Sequence, residues 1–405
     1  MSSTTPPGQD SGARDLRLLY LLTFLFIGAQ GNFFPLWLRH NGWTATDLGW
    51  LDGLRYATVI VMPLYWGRLI DRRGDAVGVL KWLAVAGVIG FLPILWSVDF
   101  WVVLGAMTVW AVFRVGQIPA LDALTLSRVK RHGGTYGRFR SWGSVGFIAG
   151  GLLLGWLVES TDRTIIPGAL AVTLVLALII VWRVPSERVE RRSTVKGWGV
   201  VKSLVAHRGL RALYLSAFLS RFTQHGLYGF LPLHLQDLGV DDWAVPLYWS
   251  VGVLSEVLLI RNTPRLFAGR STRSILLVCF VVAALQFACT ALVTNPLLLL
   301  CIMALHGVSF GLWYVASMEY LGAQVDETQR GTAQALFQIM AFGFGGTLSA
   351  ITAGYLFQAG AGALMFTVAA AASIVVIAIT WLVFPTESAT PGAQPAPRVD
   401  ESRTL

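Results

Sequence analysis

The chain has 405 residues, 55% of them hydrophobic and 13% charged, with a formal net charge of +9. A soluble domain carries roughly 25% charged residues, so this composition excludes an ordinary water-soluble enzyme or binding module. Nor does the positive charge mark a nucleic-acid binder. The basic residues sit in alternate connections between apolar runs, and no basic groove interleaved with aromatics is present.

Residues 1–14 are polar, with Pro6, Pro7 and Gly8, and are expected to form a disordered cytoplasmic tail. The apolar run that follows is too long for a signal-peptide core and is expected to be retained. Runs of about 20 apolar residues then recur, each long enough to cross a hydrocarbon core of about 30 Å as a helix. A helix pairs every backbone N–H and C=O within its own segment, which lipid requires. Twelve spans are predicted, near 17–38, 47–69, 77–97, 101–126, 139–159, 164–183, 211–235, 244–262, 273–293, 296–321, 331–357 and 363–384. Span 8 departs most from an apolar run, because it carries Pro246 and Glu256. The expected fold is an all-α membrane protein with two six-helix bundles, residues 15–184 and 210–385. A polar cytoplasmic linker, 185–209, joins them, and a Pro/Ala-rich tail, 386–405, follows as a second disordered cytoplasmic segment.

The connections divide by charge. Those after spans 2, 4, 6 and 8 hold Arg72 and Arg73, Arg128 and Lys130, Arg191 and Arg192, and Arg265 and Arg270. The opposite connections carry Asp99, Asp162, Asp237, Asp241 and Asp242, with few cations beyond Arg39 and Arg163. This asymmetry predicts both termini and the linker in the cytoplasm, in a multi-pass protein of the cytoplasmic (inner) membrane. Cys279, Cys289 and Cys301 fall in or beside apolar runs, in neither a disulfide framework nor a zinc spacing.

The halves echo each other. LYLLTF at 19–24 answers LYLSAF at 213–218, an offset of 213 − 19 = 194. FPLWL at 34–38 answers LPLHL at 231–235, Gly42 answers Gly239, and Asp122 answers Glu319, all at 197. Six spans per half start both halves on the same side, so the repeat is parallel. Paired halves of this kind are a transporter architecture with the solute site between them near the midplane.

Two stretches resemble a known family. GRLIDRRG at 67–74, between spans 2 and 3, resembles the Gly-x-x-x-Asp-Arg-x-Gly signature of the major facilitator superfamily. In it Gly67 permits close helix approach, Asp71 accepts hydrogen bonds, Arg72 stays near lipid phosphates, and Gly74 permits a tight turn. YGRFRSWGSVGFIAGG at 136–151 resembles the start of span 5 in the lactose permease-like and phenylpropionate permease-like branch. That resemblance places Arg140 at a substrate-binding arginine, Phe147 at an aromatic that stacks on solute, and Asp122 at a glutamate partner. It places Glu256 at an acidic residue of span 8 and His306 at a histidine of span 10. Two positions depart from the pattern. Ser309 stands where the branch's sugar permease has a glutamate, and Gln286 roughly where it has an arginine.

Ionisable residues in hydrocarbon normally face a cavity or a partner. Asp122 and Arg140 come to similar depth on antiparallel spans 4 and 5, so an ion pair between them is expected, with Arg140 also offering its guanidinium to solute. Arg138 lies nearer the water. Asp52 and Arg55 are three apart and can pair along one helix face, near the outer rim. Arg114, with Gln117 three residues on and Pro119 beyond, is expected to line a cavity. Glu256 is read as a proton carrier, a substrate ligand or half of a structural pair, with Arg221 or His225 as its partner. His306 is read as a protonation switch or a packing histidine, and Glu319 as a gate or cap residue. Trp313 and Tyr314 are expected at the cavity wall. Gly343, Gly345, Gly346, Gly150 and Gly151 are expected to allow close helix packing.

The expected function is secondary active transport. A small polar or anionic organic solute (a sugar, nucleoside or aromatic acid) enters with protons by alternating access. Proton-antiport efflux on the same fold is the alternative. A membrane receptor or enzyme is disfavoured, because the six histidines are scattered and no nucleophile, base or metal set clusters. No GxxxxGK[ST] stretch occurs, so the expected energy source is the proton gradient, without a cofactor. The expected partners are the solute, protons and the lipid bilayer, not nucleic acid, for a chain acting as a monomer.

Overall fold

The computed structural model describes residues 11–185 and 198–386, without the side chains of Ser11, Asp71 and Trp198. The first half holds α1 (Ser11–His40), α2 (Ala45–Arg73), α3 (Ala76–Phe91), α4 (Phe100–His132), α5 (Tyr136–Ser160) and α6 (Ile166–Arg183). A short helix, α7 (Trp198–Ala206), precedes α8 (Arg208–Asp237), α9 (Val245–Arg261), α10 (Thr263–Phe267) and α11 (Thr272–Leu292). Span 10 is composite: α12 (Pro296–Ile302), a 3-10 turn, a π-helical stretch Gly307–Leu312, and α13 (Trp313–Gln324). Span 11 runs through α14 (Glu327–Gln338), a second π stretch Ile339–Gly345 and the first part of α15 (Gly346–Val383). Non-helical backbone at Gly360 and Ala361 divides α15, and span 12 is its remainder.

The chain thus makes twelve passes in two six-helix halves. Among the described residues, nine segments are long and apolar enough by composition to cross a membrane, the last of them, Glu327–Val383, holding two passes. α2 and α8 are not among the nine. Both carry ionisable residues in mid-helix, Asp52 and Arg55 in α2 and Arg221 and His225 in α8, which lower their hydropathy without preventing burial between the halves.

Local chemistry sets several boundaries. α2 starts with a capping box in which the Thr44 hydroxyl and the Asp47 carboxylate each accept from the other's backbone N–H. It stops at Gly74, whose φ of 65° suits a residue without Cβ. Asp99 caps α4 by accepting from the N–H groups of Trp101 and Val102. Two expected boundaries shift. Residues 11–14 already belong to α1. The linker is not wholly irregular, since WGVVKSLVA forms α7 and Arg208 and Gly209 open α8. The apolar residues of α7 have a surface to cover, because Leu204 packs into the second-half core. Residues 1–10, 186–197 and 387–405 lie outside the described residues.

Glycines bring α5 against α1. A Cβ at Gly146 would lie 2.1 Å from the Leu21 carbonyl oxygen, and one at Gly150 would lie 2.0 Å from that of Leu25. Gly151 and Gly155 sit between α1 and the second half, Gly151 at Asn32 and Pro246 and Gly155 at Phe33 and Trp243. Gly343 meets Ile60 of α2, while Gly346 meets His225 and Tyr56. A methyl added at Gly67 would meet nothing within 4 Å, so the close approach expected there is absent among the described residues.

The halves are joined chiefly at the face opposite the termini. One apolar cluster draws on both, with Phe33, Leu154 and Val158 packing in the same core as Phe230, Trp249 and Phe357. Toward the termini each half has its own core, around Tyr20 and Leu83 in the first and around Leu213 and Trp313 in the second. At the joined face Arg39 pairs with Asp237 at 2.6 Å, and Arg163 grips Asp242 through two bonds of 2.6 and 2.9 Å. The Ala45 N–H donates to Gln358, and Gly49 lies against Gly354. The described conformation is therefore closed toward that face.

Candidate functional site

Between the halves lies a cavity of about 190 Å³, bounded by α1, α2, α5, α8 and α9. Phe147, Tyr56, Tyr228 and Trp249 supply aromatic walls, while Gln30, Asp52 and Arg55 supply polar groups. Small sites of this make-up orient a ligand with few polar contacts and hold its body by apolar ones.

Asp52 and Arg55 pair along α2. They line this cavity between the halves, and do not stand at the outer rim where sequence position put them. Arg55 also reaches Gln30 and lies over the Trp110 ring. Asp52 packs against α8 at Gly229, where a Cβ would come within 2.8 Å of its carboxylate.

A second cluster gathers α8, α9 and span 10. His306 Nε2 lies 3.3 Å from the Glu256 carboxylate and 3.1 Å from the Tyr228 hydroxyl. The partner of Glu256 is thus His306, neither Arg221 nor His225. The ring of His306 stacks on Phe310, and Trp249 meets it edge-on. Arg221 is 2% exposed and enclosed by the rings of Tyr228, Phe310, Trp313 and Phe342 at 4.8–5.9 Å. It donates to Gln224 at 2.6 Å. His225 packs against Tyr56 across the interface with the rings tilted by 55°, and both its ring nitrogens are buried and without a hydrogen-bond partner. The four residues singled out for proton coupling, Glu256, His306, His225 and Arg221, therefore converge around Tyr228.

The two departures from the family pattern meet each other. Ser309 Oγ donates to Gln286 at 2.7 Å, and the Ser309 carbonyl accepts from Gln224. A neutral hydrogen bond stands where the resemblance implies an acid and an arginine. The π turn at Gly307–Leu312 frees backbone carbonyls for such bonds, a feature that recurs at functional sites.

The remaining candidates divide. Asp122 does not pair with Arg140. Its carboxylate accepts from the Tyr20 hydroxyl at 2.6 Å and the Tyr136 hydroxyl at 3.0 Å. Arg140 stacks over Phe24 at 4.1 Å. Similar depth fixes height along two helices but not rotation about them, and the tyrosines hold the inner face. Tyr314 accepts from Gln338 at 3.2 Å. Trp313 is fully buried against Phe337 and lines no wall of the cavity. Gln117 donates to the Leu83 carbonyl of α3, so it ties two helices together and leaves Arg114 as the polar group of that face. Arg138 and Arg72 are exposed, and the Asp71 side chain lies outside the described residues.

Sequence reasoning passed over Tyr228, Trp249, Tyr20 and Tyr136. The first had a signal, since Arg221, His225 and Tyr228 follow i, i+4, i+7 spacing on one face of α8. Among the described residues, Arg114, Arg140 and Arg221 have no carboxylate within 4 Å.

Comparison with known proteins agrees with this architecture. The family model described as "MFS_1 like family" matches residues 13–368. The chain is 27% identical over 357 residues to the "Probable 3-phenylpropionic acid transporter" of Escherichia coli (strain K12), covering 85% of this chain and 91% of that protein. It is 26% identical over 369 residues to the "Maltose permease" of Geobacillus stearothermophilus, covering 89% and 92%. The solved structure of the nucleoside transporter NupG superposes with a TM-score of 0.78 at 16% identity, covering 92% of this chain and 99% of that one. With twelve passes, paired halves and a family match over most of its length, the chain belongs to the MFS_1-like family of major facilitator superfamily transporters.

Proposed function

We propose that this transporter carries a small organic anion with an aromatic-sized apolar body inward, together with protons. One observation carries the reading. Of the mid-helix guanidiniums Arg55, Arg114, Arg140 and Arg221, the last three have no carboxylate within 4 Å among the described residues. An unpaired charge in a low-dielectric interior is costly, and an anionic solute supplies a partner. The aromatic walls of Phe147, Tyr228 and Trp249 suit its body. The relative described as a 3-phenylpropionic acid transporter is in keeping with an aromatic acid.

In this reading Glu256 holds the coupling proton. His306 lies between that carboxylate and Tyr228, which borders the cavity, so proton and solute meet at one ring. The solute binds against the arginines, Arg140 among them, the halves rock, and both cargoes leave toward the termini. The basic connections put that face in the cytoplasm, which makes the joined face external and the described state one that discharges inward. No cofactor takes part.

The test is uptake into proteoliposomes. Arg140→Ala abolishes transport with membrane insertion intact. Glu256→Gln spares solute exchange yet prevents accumulation driven by a proton gradient; accumulation surviving that change puts the proton elsewhere. An inward-acid gradient that drives only extrusion refutes uptake in favour of efflux by antiport.

A further inference from the structure

On the side of the termini, each half carries a cation lying on an exposed tryptophan. In the second half the Arg273 guanidinium, in the first turn of α11, sits 4.3 Å from the centre of the Trp381 ring near the end of α15. In the first half the Lys81 ammonium of α3 sits 5.0 Å from the ring of Trp182 near the end of α6. Spans 3 and 6 correspond to spans 9 and 12 in the repeat, so the pair recurs at one height. Both tryptophans are 60% exposed, and they lie on the outer surface of the bundle, where the solvent is lipid. Tryptophans and snorkelling cations gather at the headgroup level of a bilayer.

At Arg273 the pair opens onto a groove of about 500 Å³ between α11 and the end of α15. Ser271, Arg273, Ser274 and Thr386 make one end of it polar, and Leu277, Val278 and Val281 make the rest apolar. α11 enters the membrane from the side of the termini, so the apolar part leads toward the hydrocarbon. From Arg273 to Val281 the helix rises about 12 Å, most of the roughly 15 Å of hydrocarbon in one leaflet. One terminal nitrogen of Arg273 donates to the Trp381 carbonyl, and its Nε is buried without a partner. Among the described residues its other terminal nitrogen has no acceptor, and no carboxylate lies within 4 Å. An unpaired cation therefore stands at the polar end of an apolar groove.

We propose that this groove binds one anionic phospholipid, with its phosphate on Arg273 and an acyl chain along Leu277, Val278 and Val281. The orientation inferred above makes this a lipid of the inner leaflet. A guanidinium holds phosphate by charge-assisted hydrogen bonds. The Ser271 oxygen accepts from the Ser274 N–H, which leaves the Ser271 hydroxyl proton to donate to the same headgroup. A choline headgroup brings a cation of its own, which meets Arg273 as a like charge, so the site favours a headgroup without one, such as phosphatidylglycerol. If Arg273 served only to clamp the ends of spans 9 and 12, the helices would stay joined but lipids would not be sorted by charge.

The experiment titrates purified full-length protein in neutral detergent with phosphatidylglycerol and phosphatidylcholine of identical chains, and reads bound lipid by native mass spectrometry. Wild type binds its first phosphatidylglycerol about fivefold or more tighter than phosphatidylcholine. Arg273→Gln lowers that preference about fivefold, while Arg273→Lys, which keeps the charge and loses the fork, retains part of it. Val278→Trp fills the groove without touching Arg273 and also removes the tight phosphatidylglycerol, which keeps the site testable if Arg273→Gln does not fold. Lys202→Gln, an exposed basic position outside the groove, leaves the preference within twofold of wild type. Melting in the same detergent shows which variants are folded. A preference within twofold of wild type in folded Arg273→Gln or in Val278→Trp overturns the site. So does a loss in Lys202→Gln as large as that in Arg273→Gln, which would assign the lipid to diffuse surface charge.

Discussion

Replacing Gly150 by alanine tests the packing that positions α5 directly. The added Cβ would lie 2.0 Å from the Leu25 carbonyl oxygen, 2.7 Å from its carbon and 2.8 Å from the Leu25 Cα. Ordinary contact begins at 3.4 Å, so the helices must separate by 3.4 − 2.0 = 1.4 Å at this level. All three obstructing atoms are backbone, so no side chain can rotate away. Overpacking of this kind costs about 1–3 kcal/mol. For a six-helix half of this size that corresponds to a fall in apparent melting temperature of roughly 2–12 °C. The assay is thermal unfolding of purified protein in detergent, with Gly168→Ala as the control, since a methyl there meets nothing within 4 Å. Because α5 also carries Arg140 and Phe147, the same change should weaken solute binding. Equal melting temperatures for the two variants would refute the claim that α1 and α5 are held at backbone contact.

Other outcomes follow from the same geometry. Arg163→Ala removes a half-buried two-bond grip on Asp242 and should favour opening of the joined face by about fivefold, taking roughly 1 kcal/mol for such a pair. Maleimide labelling of a Leu48→Cys variant lacking Cys301 reads this, because Leu48 is 4% exposed and borders both the outer vestibule and the inner cavity; unchanged labelling would remove the grip from the gate. Ala361 adopts φ 53° and ψ −161°, a region that favours glycine. Ala361→Gly should therefore stabilise the turn between spans 11 and 12 by about 1 kcal/mol, seen as a higher melting temperature.

Much of the architecture was readable from apolar run length and from the offsets of 194 and 197. The offsets have a physical counterpart: α1 packs on α5 through glycines, and α8 packs correspondingly on span 11, where Gly345 lies against Phe218. Hydropathy reads α2 and α8 less clearly, because their polar residues face the other half and not lipid. At the site, residue type was legible and partnership was not. The contact of Glu256 with His306 spans 50 residues, and that of Asp122 with Tyr20 spans 102. Neither rotation about a helix axis nor a π turn leaves a periodic signal. Gln117 shows the same limit: its spacing from Arg114 is right for a shared face, yet its amide is taken by α3.

The π turns in spans 10 and 11 make the two lobes mechanically unequal. In the first lobe, α4 and α5 run without a π turn, and the glycines of α5 clasp it to α1. In the second, the corresponding passes each contain a wider turn at mid-depth, next to the residues that hold Arg221 and His306. One lobe is then a stiff strut and the other a jointed lever, and bending concentrates beside Phe310 and Phe342. Amide exchange should be faster along 307–312 and 339–345 than along 143–158, and the jointed lobe is the one whose shape a bound solute or proton can alter.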